Sequence, residues 1–581
     1  MESLNRGGFP KIPITQANSG PEFDLSGRLL DLAGSSMSFP DHNSNERSTP
    51  PVSPGQSQGT RVDLRGLTVT AGTKTLLRDA TITFPAGELI LVLGWSGVGK
   101  SVLLRILAGL IGPDHAGIRY SGSIDFVGSG GVHRCEGDVS HPVAVVFQNF
   151  ALLDELTPIQ NVQIALDHSR GKHLAGPHTA VELLKELRVP TDRPTSVLSG
   201  GQQQRLAIAR AIAPETDVVL YDEPTSGLDT RTARQVADFI REIQQSHRRT
   251  SILITHDYEA LRRIADRIIL LDHNQQKLVE LPRESWDQLP EVLGQPPVIS
   301  TDIVATSWGS KITELATNAL VGTGSFVEEI LCLPWSLLPI WRSVKWGSRY
   351  TVYYLNLVAG PSACIYIAVA GMILGFVAQD FVFRYLPFRQ FTEPLLSENL
   401  LHATGFSLYR FLVPILSTIL IAARSGAAVA SDVGSKVYGN QLDAMKTLGV
   451  NPVRTLRTPV LYAFLLGTPF LALFSYAVAA VSASFAFLMT HSELGIGFWD
   501  AHFHKELIEK TGFFYKGSGW LLAKLLTCGA GVAMISWRCA VTPKLSGSEI
   551  SHGVTRTILW ATLFVLFVHF GYSLFEFKAQ S

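Results

Sequence analysis

Two patterns of hydrophobic spacing divide the chain. Between residues 61 and 289, short apolar runs of strand length alternate with stretches of helical spacing. ELILVLG (88–94), DVVLYDE (217–223) and SILITH (251–256) are apolar runs bounded by turn residues, as expected of parallel strands covered on both faces. VLLRILAGL (102–110) follows the first run with helical spacing. An α/β domain is therefore predicted over 61–289. Beyond it the runs lengthen: residues 350–379, 458–492 and 557–575 carry no charge at all. A helix that spans a bilayer needs ~20 apolar residues. Five spans are predicted, at 355–378, 402–423, 459–485, 519–537 and 557–575, making 326–581 an all-α transmembrane bundle. Arg410 and Lys524 lie inside the second and fourth spans and would sit near a membrane face if they snorkel. Just before the first span, 326–346 carries Trp335, Trp341 and Trp346 beside Arg342 and Lys345, which predicts an N-terminal interfacial helix. Residues 1–60 are rich in Ser, Pro, Gly and Asn and read as a disordered tail, and 290–325 reads as a linker.

Composition sharpens this division. The 581 residues hold 49 Lys+Arg and 49 Asp+Glu, a net charge of +0, which argues against a nucleic-acid binder working through bulk positive charge. Charged residues make up only 17%, below the ~25% usual in soluble domains, and the deficit comes from the membrane half. The basic residues are not evenly spread. One predicted face collects Arg342, Lys345, Arg349, Arg424, Lys436, Lys446, Arg454, Arg457, Arg538, Lys544 and Arg556; the other collects Arg384, Arg389, Lys505, Lys510 and Lys516. That bias places the α/β domain on the inner side and the C-terminus outside. The five cysteines, Cys135, Cys332, Cys364, Cys528 and Cys539, form no CxxC, so neither a disulfide framework nor a zinc ribbon is expected. HRCEGDVSH (133–141) fits no standard zinc spacing. The N-terminus lacks a basic stretch followed by an apolar core, so no secretory signal is predicted.

The chemistry starts at GWSGVGKS (94–101), which matches G-x-x-x-x-G-K-[ST] between a predicted strand and a predicted helix. Gly94, Trp95, Ser96, Gly97, Val98 and Gly99 would bring backbone N–H groups to phosphate oxygens, helped by the helix N-terminus. Lys100 would neutralise β/γ-phosphate charge, and the Ser101 hydroxyl would ligate Mg²⁺. VVLYDE ends in Asp222, a hard ligand suited to Mg²⁺ through water, and Glu223, placed to polarise an attacking water. By itself an Asp-Glu pair at a strand end is as often a solvated turn.

LSGGQQQR (198–205) decides the matter: here the chain resembles the ATP-binding cassette (ABC) family, whose signature this octet is. The resemblance covers about 61–289 and implies an α/β P-loop NTPase with ATP and Mg²⁺. It implies that Gln148 is the Q-loop residue, sensing Mg²⁺ and facing the membrane domain. It also implies that Ser199, Gly200, Gly201 and Gln202 bind ATP held by the opposite subunit, that Asp229 lies at the dimer seam, and that His256 contacts the γ-phosphate. The catalytic set is then Glu223, His256 and Gln148, with Ser101, Gln148 and Asp222 around the metal. One departure is that Ala71 stands where the family usually stacks an aromatic ring on adenine, so weak base selectivity is expected.

ARSGAAVASDVGSKVYGNQLDAMKTLGVNP (423–452) resembles the MlaE-type permeases of lipid-asymmetry and mammalian-cell-entry (MCE) importers, and the resemblance extends over about 326–577. Within it Leu442, Met445 and Leu448 form a short apolar stripe, suited to docking on the ATPase near Gln148 or to lying at the interface. The family often carries an acidic residue in the second span; this chain reads YRFLVP (409–414), with Phe411 and Val413 at the matching places. Arg410 reads either as a phosphate head-group contact or as an interfacial anchor. The two resemblances together imply a homodimeric half-transporter moving lipid with ATP in a bacterial inner membrane, ATPase cytoplasmic, with an extracytoplasmic MCE-type partner. Export of other small hydrophobic compounds is the alternative.

Overall fold

The computed structural model describes residues 59–72, 74–115, 117–128, 131–135, 143–169, 177–214, 216–290, 333–341, 343–385, 393–508, 515–544 and 546–578. The predicted tail, save its last two residues, and the predicted linker, save its first, lie outside these residues, as does most of the 133–141 cluster.

The first part is built on two sheets. An antiparallel sheet pairs β1 (Arg61–Ala71) with β2 (Lys74–Phe84) and β5 (Ile118–Gly128), with short β4 (Asp114–His115) and β6 (Gly131–Arg134) on β5. The central sheet has six strands. In spatial order they are β11 (Lys277–Leu281), β10 (Arg267–Asp272), β3 (Leu89–Leu93), β9 (Thr250–Thr255), β8 (Val218–Asp222) and β7 (Val143–Val146). All but β11 run parallel. β3, β7 and β9 are buried at every residue, which explains their unbroken apolar runs. Helices α1 (Lys100–Leu107), α2 (Pro158–His168), α3 (Pro177–Glu186), α4 (Gly200–Ile212) and α5 (Thr230–His247) complete the unit. Thr157 and Gln160 form a capping box with Pro158 in the first turn of α2, so that helix's start is written locally.

The second part is helical. After the single turn α6 (Leu333–Ser336) come α7 (Val344–Ala359), α8 (Pro361–Tyr385), α9 (Glu393–Ser407), α10 (Val413–Ile421), α11 (Ala427–Tyr438), α12 (Gln441–Thr447), α13 (Thr458–Thr490), α14 (Gly495–Phe503), α15 (Ser518–Val541) and α16 (Gly547–Lys578). Three π-helical segments, Leu408–Leu412, Ala422–Gly426 and Val453–Arg457, join α9 to α10, α10 to α11, and the turn after α12 to α13. Among the described residues five helical stretches are long and apolar enough to cross a membrane: Val344–Arg384, Ser397–Tyr438, Val453–Thr490, Ser518–Val541 and Gly547–Glu576. α8 lies close along α13: a Cβ on Gly371 or Gly375 would strike the carbonyls of Ser475 or Ala479. Small residues at i and i+4 thus let two helices approach where lipid offers no hydrophobic drive.

Three expectations are corrected. Trp346 does not lie at a lipid interface; it is 2% exposed and its Nε1–H donates to Asp167 Oδ2 of α2 at 2.8 Å. Trp341 packs edge-on against Tyr462 and donates to the Arg454 carbonyl, whereas Trp335 remains 73% exposed. Arg410 and Lys524 do not snorkel. Both turn inward onto Glu576 near the end of α16, Arg410 at 3.3 Å and Lys524 in direct contact, with all three side chains at most 2% exposed. The guanidinium also donates to the Lys516 carbonyl at 3.0 Å and lies over Phe406. The cause is desolvation: a lone cation among apolar helices is costly, and a buried carboxylate offsets that cost. Glu576→Gln leaves two buried cations without a counter-charge, and a loss of about 3–5 kcal/mol in stability is expected; denaturant unfolding of the detergent-solubilised chain measures it.

Candidate functional site

Strands β3 and β8 end at the same edge of the central sheet, and the phosphate-binding loop and Asp222–Glu223 meet there. Gly94 is buried and Trp95 half-buried; Ser96 and Gly97 are exposed, and Val98 closes the loop through its N–H to the Trp95 carbonyl at 3.3 Å. Gly99 has φ of 109°, and a Cβ there would sit 3.2 Å from the Leu76 side chain, so both backbone and space require glycine. Lys100 Nζ donates to the carbonyls of Gly94 (2.8 Å) and Trp95 (2.9 Å), holding the ammonium inside the loop. Burial pushes this ammonium's pKa below its usual range, opposed by the charges of Glu223 and Asp222. Burial likewise pushes the Asp222 carboxyl up, opposed chiefly by the Ser101 hydroxyl, which donates to it at 3.3 Å.

Glu223 is the centre of the cluster. Its φ of 48° is left-handed, and its N–H is fixed on the Ile254 carbonyl at 2.8 Å. One carboxylate oxygen accepts from Gln148 Nε2 at 3.0 Å; the other lies 2.8 Å from His256 Nδ1. Gln148 follows β7 and His256 follows β9, so three strand ends converge on one carboxylate. The Ser101 hydroxyl meets an Asp222 carboxylate oxygen, and the Gln148 amide reaches Glu223, the next residue along; hydroxyl, carboxylate and amide oxygens are hard donors of the kind Mg²⁺ takes.

The remaining predicted residues lie in a second cluster. Ser199 caps α4, its N–H donating to Gln202 Oε1 at 3.0 Å. Ser199 and Gly200 are exposed, and a Cβ on Gly200 would meet nothing within 4 Å. A Cβ on Gly201 would approach Thr232, whose N–H and hydroxyl donate to Asp229. Asp229 is the N-cap of α5, and the Thr232 hydroxyl holds its carboxyl below the usual range. Among the described residues no hydrogen bond joins this cluster to the phosphate loop. Ala71 ends β1 at the hairpin.

The membrane helices reach the site through α12. Leu442, Met445 and Leu448 are all buried, and α12 lies against β7, the strand leading to Gln148. Arg105 of α1 donates to Asn440 Oδ1 at 2.9 Å, and Gln441 donates to Asp154 Oδ2 at 3.2 Å. Beside it, Lys436 of α11 lies 2.7 Å from Asp432 and 3.6 Å from Glu155, and Tyr353 and Tyr354 donate to Asp432 at 2.8 and 3.0 Å. Sequence reasoning missed this network. The i, i+4 pairing of Asp432 with Lys436 was its one legible sign.

Known proteins now bear on these observations. Residues 77–226 match the ABC transporter family, and residues 355–575 match the permease MlaE family. The iron(III) import ATP-binding protein of Agrobacterium fabrum is 33% identical over 43% of this chain and 70% of its own length. The methionine import ATP-binding protein of Lactobacillus johnsonii is 34% identical over 36% of this chain, and the sulfate/thiosulfate import ATP-binding protein of Synechococcus elongatus 34% identical over 37%. The chain spans 62% and 61% of the lengths of those two relatives. A solved ATP-binding cassette dimer bound to ADP and Pi aligns at 28% identity over 38% of this chain and 99% of its own, with a TM-score of 0.32. The chain belongs to the ABC transporter family. Its cassette is followed, in the same polypeptide, by an MlaE permease domain.

Two outcomes are expected. Lys100→Met removes the ammonium held inside the loop and is expected to weaken ATP binding by roughly tenfold to a hundredfold, measurable by titration with a fluorescent ATP analogue. Lys436→Met leaves ATP binding unchanged but lowers ATP-coupled activity in reconstituted vesicles by about tenfold, because the ion pair across the seam is lost.

Proposed function

We propose that the protein couples ATP hydrolysis to the movement of lipid across or out of a membrane, as a homodimer in which each chain contributes one cassette and one helical bundle. The observation that carries this reading is the docking of α12, which lies between two membrane spans yet contacts both the helix of the phosphate loop and the segment after Gln148.

The residues act in an order that their positions suggest. Backbone N–H groups of residues 94–99 and the Lys100 ammonium hold the β- and γ-phosphates. Ser101, Asp222 and Gln148 would hold Mg²⁺, which when bound would offset negative charge on the phosphate oxygens. Glu223 accepts a proton from the attacking water, and the bond to the leaving ADP breaks as the new phosphorus–oxygen bond forms. Gln148 and His256 orient Glu223 from either side. Ser199 and Gly200, both exposed, and half-buried Gly201 stand apart from their own phosphate loop, which leaves them to cover the nucleotide of a second chain. That arrangement supports a two-fold dimer with two shared ATP sites.

The MlaE match and spans with few polar groups support a lipid or a similar amphiphile as cargo. The same reading includes an extracytoplasmic lipid-binding partner of the MCE type. The basic bias toward α12 and the 538–556 region supports a cytoplasmic cassette in a bacterial inner membrane.

Full-length protein in proteoliposomes tests the reading. Glu223→Gln is expected to retain ATP, lower hydrolysis by about 10²-fold or more, and stop transfer of fluorescent phospholipid. Unchanged lipid transfer in that variant would sink the proposal. Stimulation of hydrolysis by amphipathic drugs in place of phospholipid would point to the export of small hydrophobics.

A further inference from the structure

A cavity of about 1060 Å³ opens between the end of α15 and the start of α16. It lies on the cassette side of the bundle. Ile550, near the start of α16, is 3.5 Å from where a Cβ on Gly434 of α11 would lie, and Gly434 is two residues from Lys436, which faces Glu155 of the cassette. The lining is divided by chemistry. Among the described residues of the lining, Arg538, Lys544 and Arg556 stand at the polar end, with Glu549 as the one carboxylate; Trp560, Phe564 and Phe567 form an apolar wall. Lys544 is held in place by donation to the Cys539 carbonyl at 3.1 Å and to Thr542 Oγ1 at 2.6 Å. Arg556 and Phe567 are eleven residues apart on one helix, a rise of ~16 Å. That matches one leaflet, half of a ~30 Å hydrocarbon core.

We propose that this cavity binds an anionic phospholipid of the cassette-side leaflet, its phosphate among Arg538, Lys544 and Arg556 and an acyl chain along Trp560, Phe564 and Phe567. The described lining sets three cations against one carboxylate at a membrane face, which an anionic head group complements. Trp560 and Phe567 are exposed, as a wall for an acyl chain requires. A second copy of the chain is a poorer occupant. A two-fold contact would bring the same patch of each chain together, and with it the same cations. The site is independent of what the transporter carries, so it stands or falls apart from the cargo reading.

Full-length protein in nanodiscs tests it by quenching with tail-brominated phosphatidylglycerol or phosphatidylcholine. The part of the quenching lost in Trp560→Phe reports the cavity. Phosphatidylglycerol is expected to saturate that part at about tenfold lower content than phosphatidylcholine, and Arg538→Gln/Arg556→Gln to erase the preference. Equal quenching by both lipids overturns the proposal. Displacement by inorganic phosphate overturns it in favour of a free-anion site. Cross-linking between two chains through Trp560→Cys overturns it in favour of a contact between copies. Should the double variant fail to fold, Glu549→Gln decides: a stronger phosphatidylglycerol preference supports the site, and an unchanged one overturns it.

Discussion

Work done at a phosphate loop reaches a membrane helix only through atoms in contact, and in this chain those atoms form a narrow seam. On one side stand Arg105, Asp154, Glu155 and Asp167 of the cassette; on the other stand Asn440, Gln441, Lys436 and Trp346 of the helical part. Arg105 lies on the helix that begins at Lys100, and Asp154 lies six residues after Gln148. A shift in either nucleotide-binding element therefore displaces a partner of the membrane domain directly. The apolar contacts are continuous as well: Leu153, Leu156 and Ile164 share one buried cluster with Tyr350, Met445 and Leu448.

The same physical rule shapes both ends of the bundle. Charge removed from water must be answered locally. Near the seam, Lys436 is answered by Asp432 and Glu155, with two tyrosine hydroxyls completing the hydrogen bonding of Asp432. At the far end, Arg410 and Lys524 share Glu576. These networks join helices distant in sequence, α7 to α11 and the second span to the fourth and fifth, so they tie the packing of the bundle together.

The parts of this structure that could be read from sequence were those with short-range chemistry. GWSGVGKS (94–101) and LSGGQQQR (198–205) carry their function in consecutive residues, and the apolar runs of β3, β8 and β9 announce their burial. The convergence of Gln148, Glu223 and His256 was legible through family resemblance, since nothing local brings three strand ends together. The inward turn of Arg410 and Lys524 was not legible, because their partner lies 166 and 52 positions away in sequence. Trp346 misled for a related reason: a tryptophan beside a lysine suits a lipid interface equally well as a docking surface, and only the tertiary position of Asp167 separates the two.

Because cassette and permease share one chain, the seam forms intramolecularly. A tether gives its two faces a local concentration that separate subunits reach only through affinity. A contact made largely of side-chain hydrogen bonds and ion pairs suffices under those conditions. Such a contact can loosen and re-form in each catalytic cycle without the cassette being lost to solution, and every membrane domain is made with its own motor in equal number.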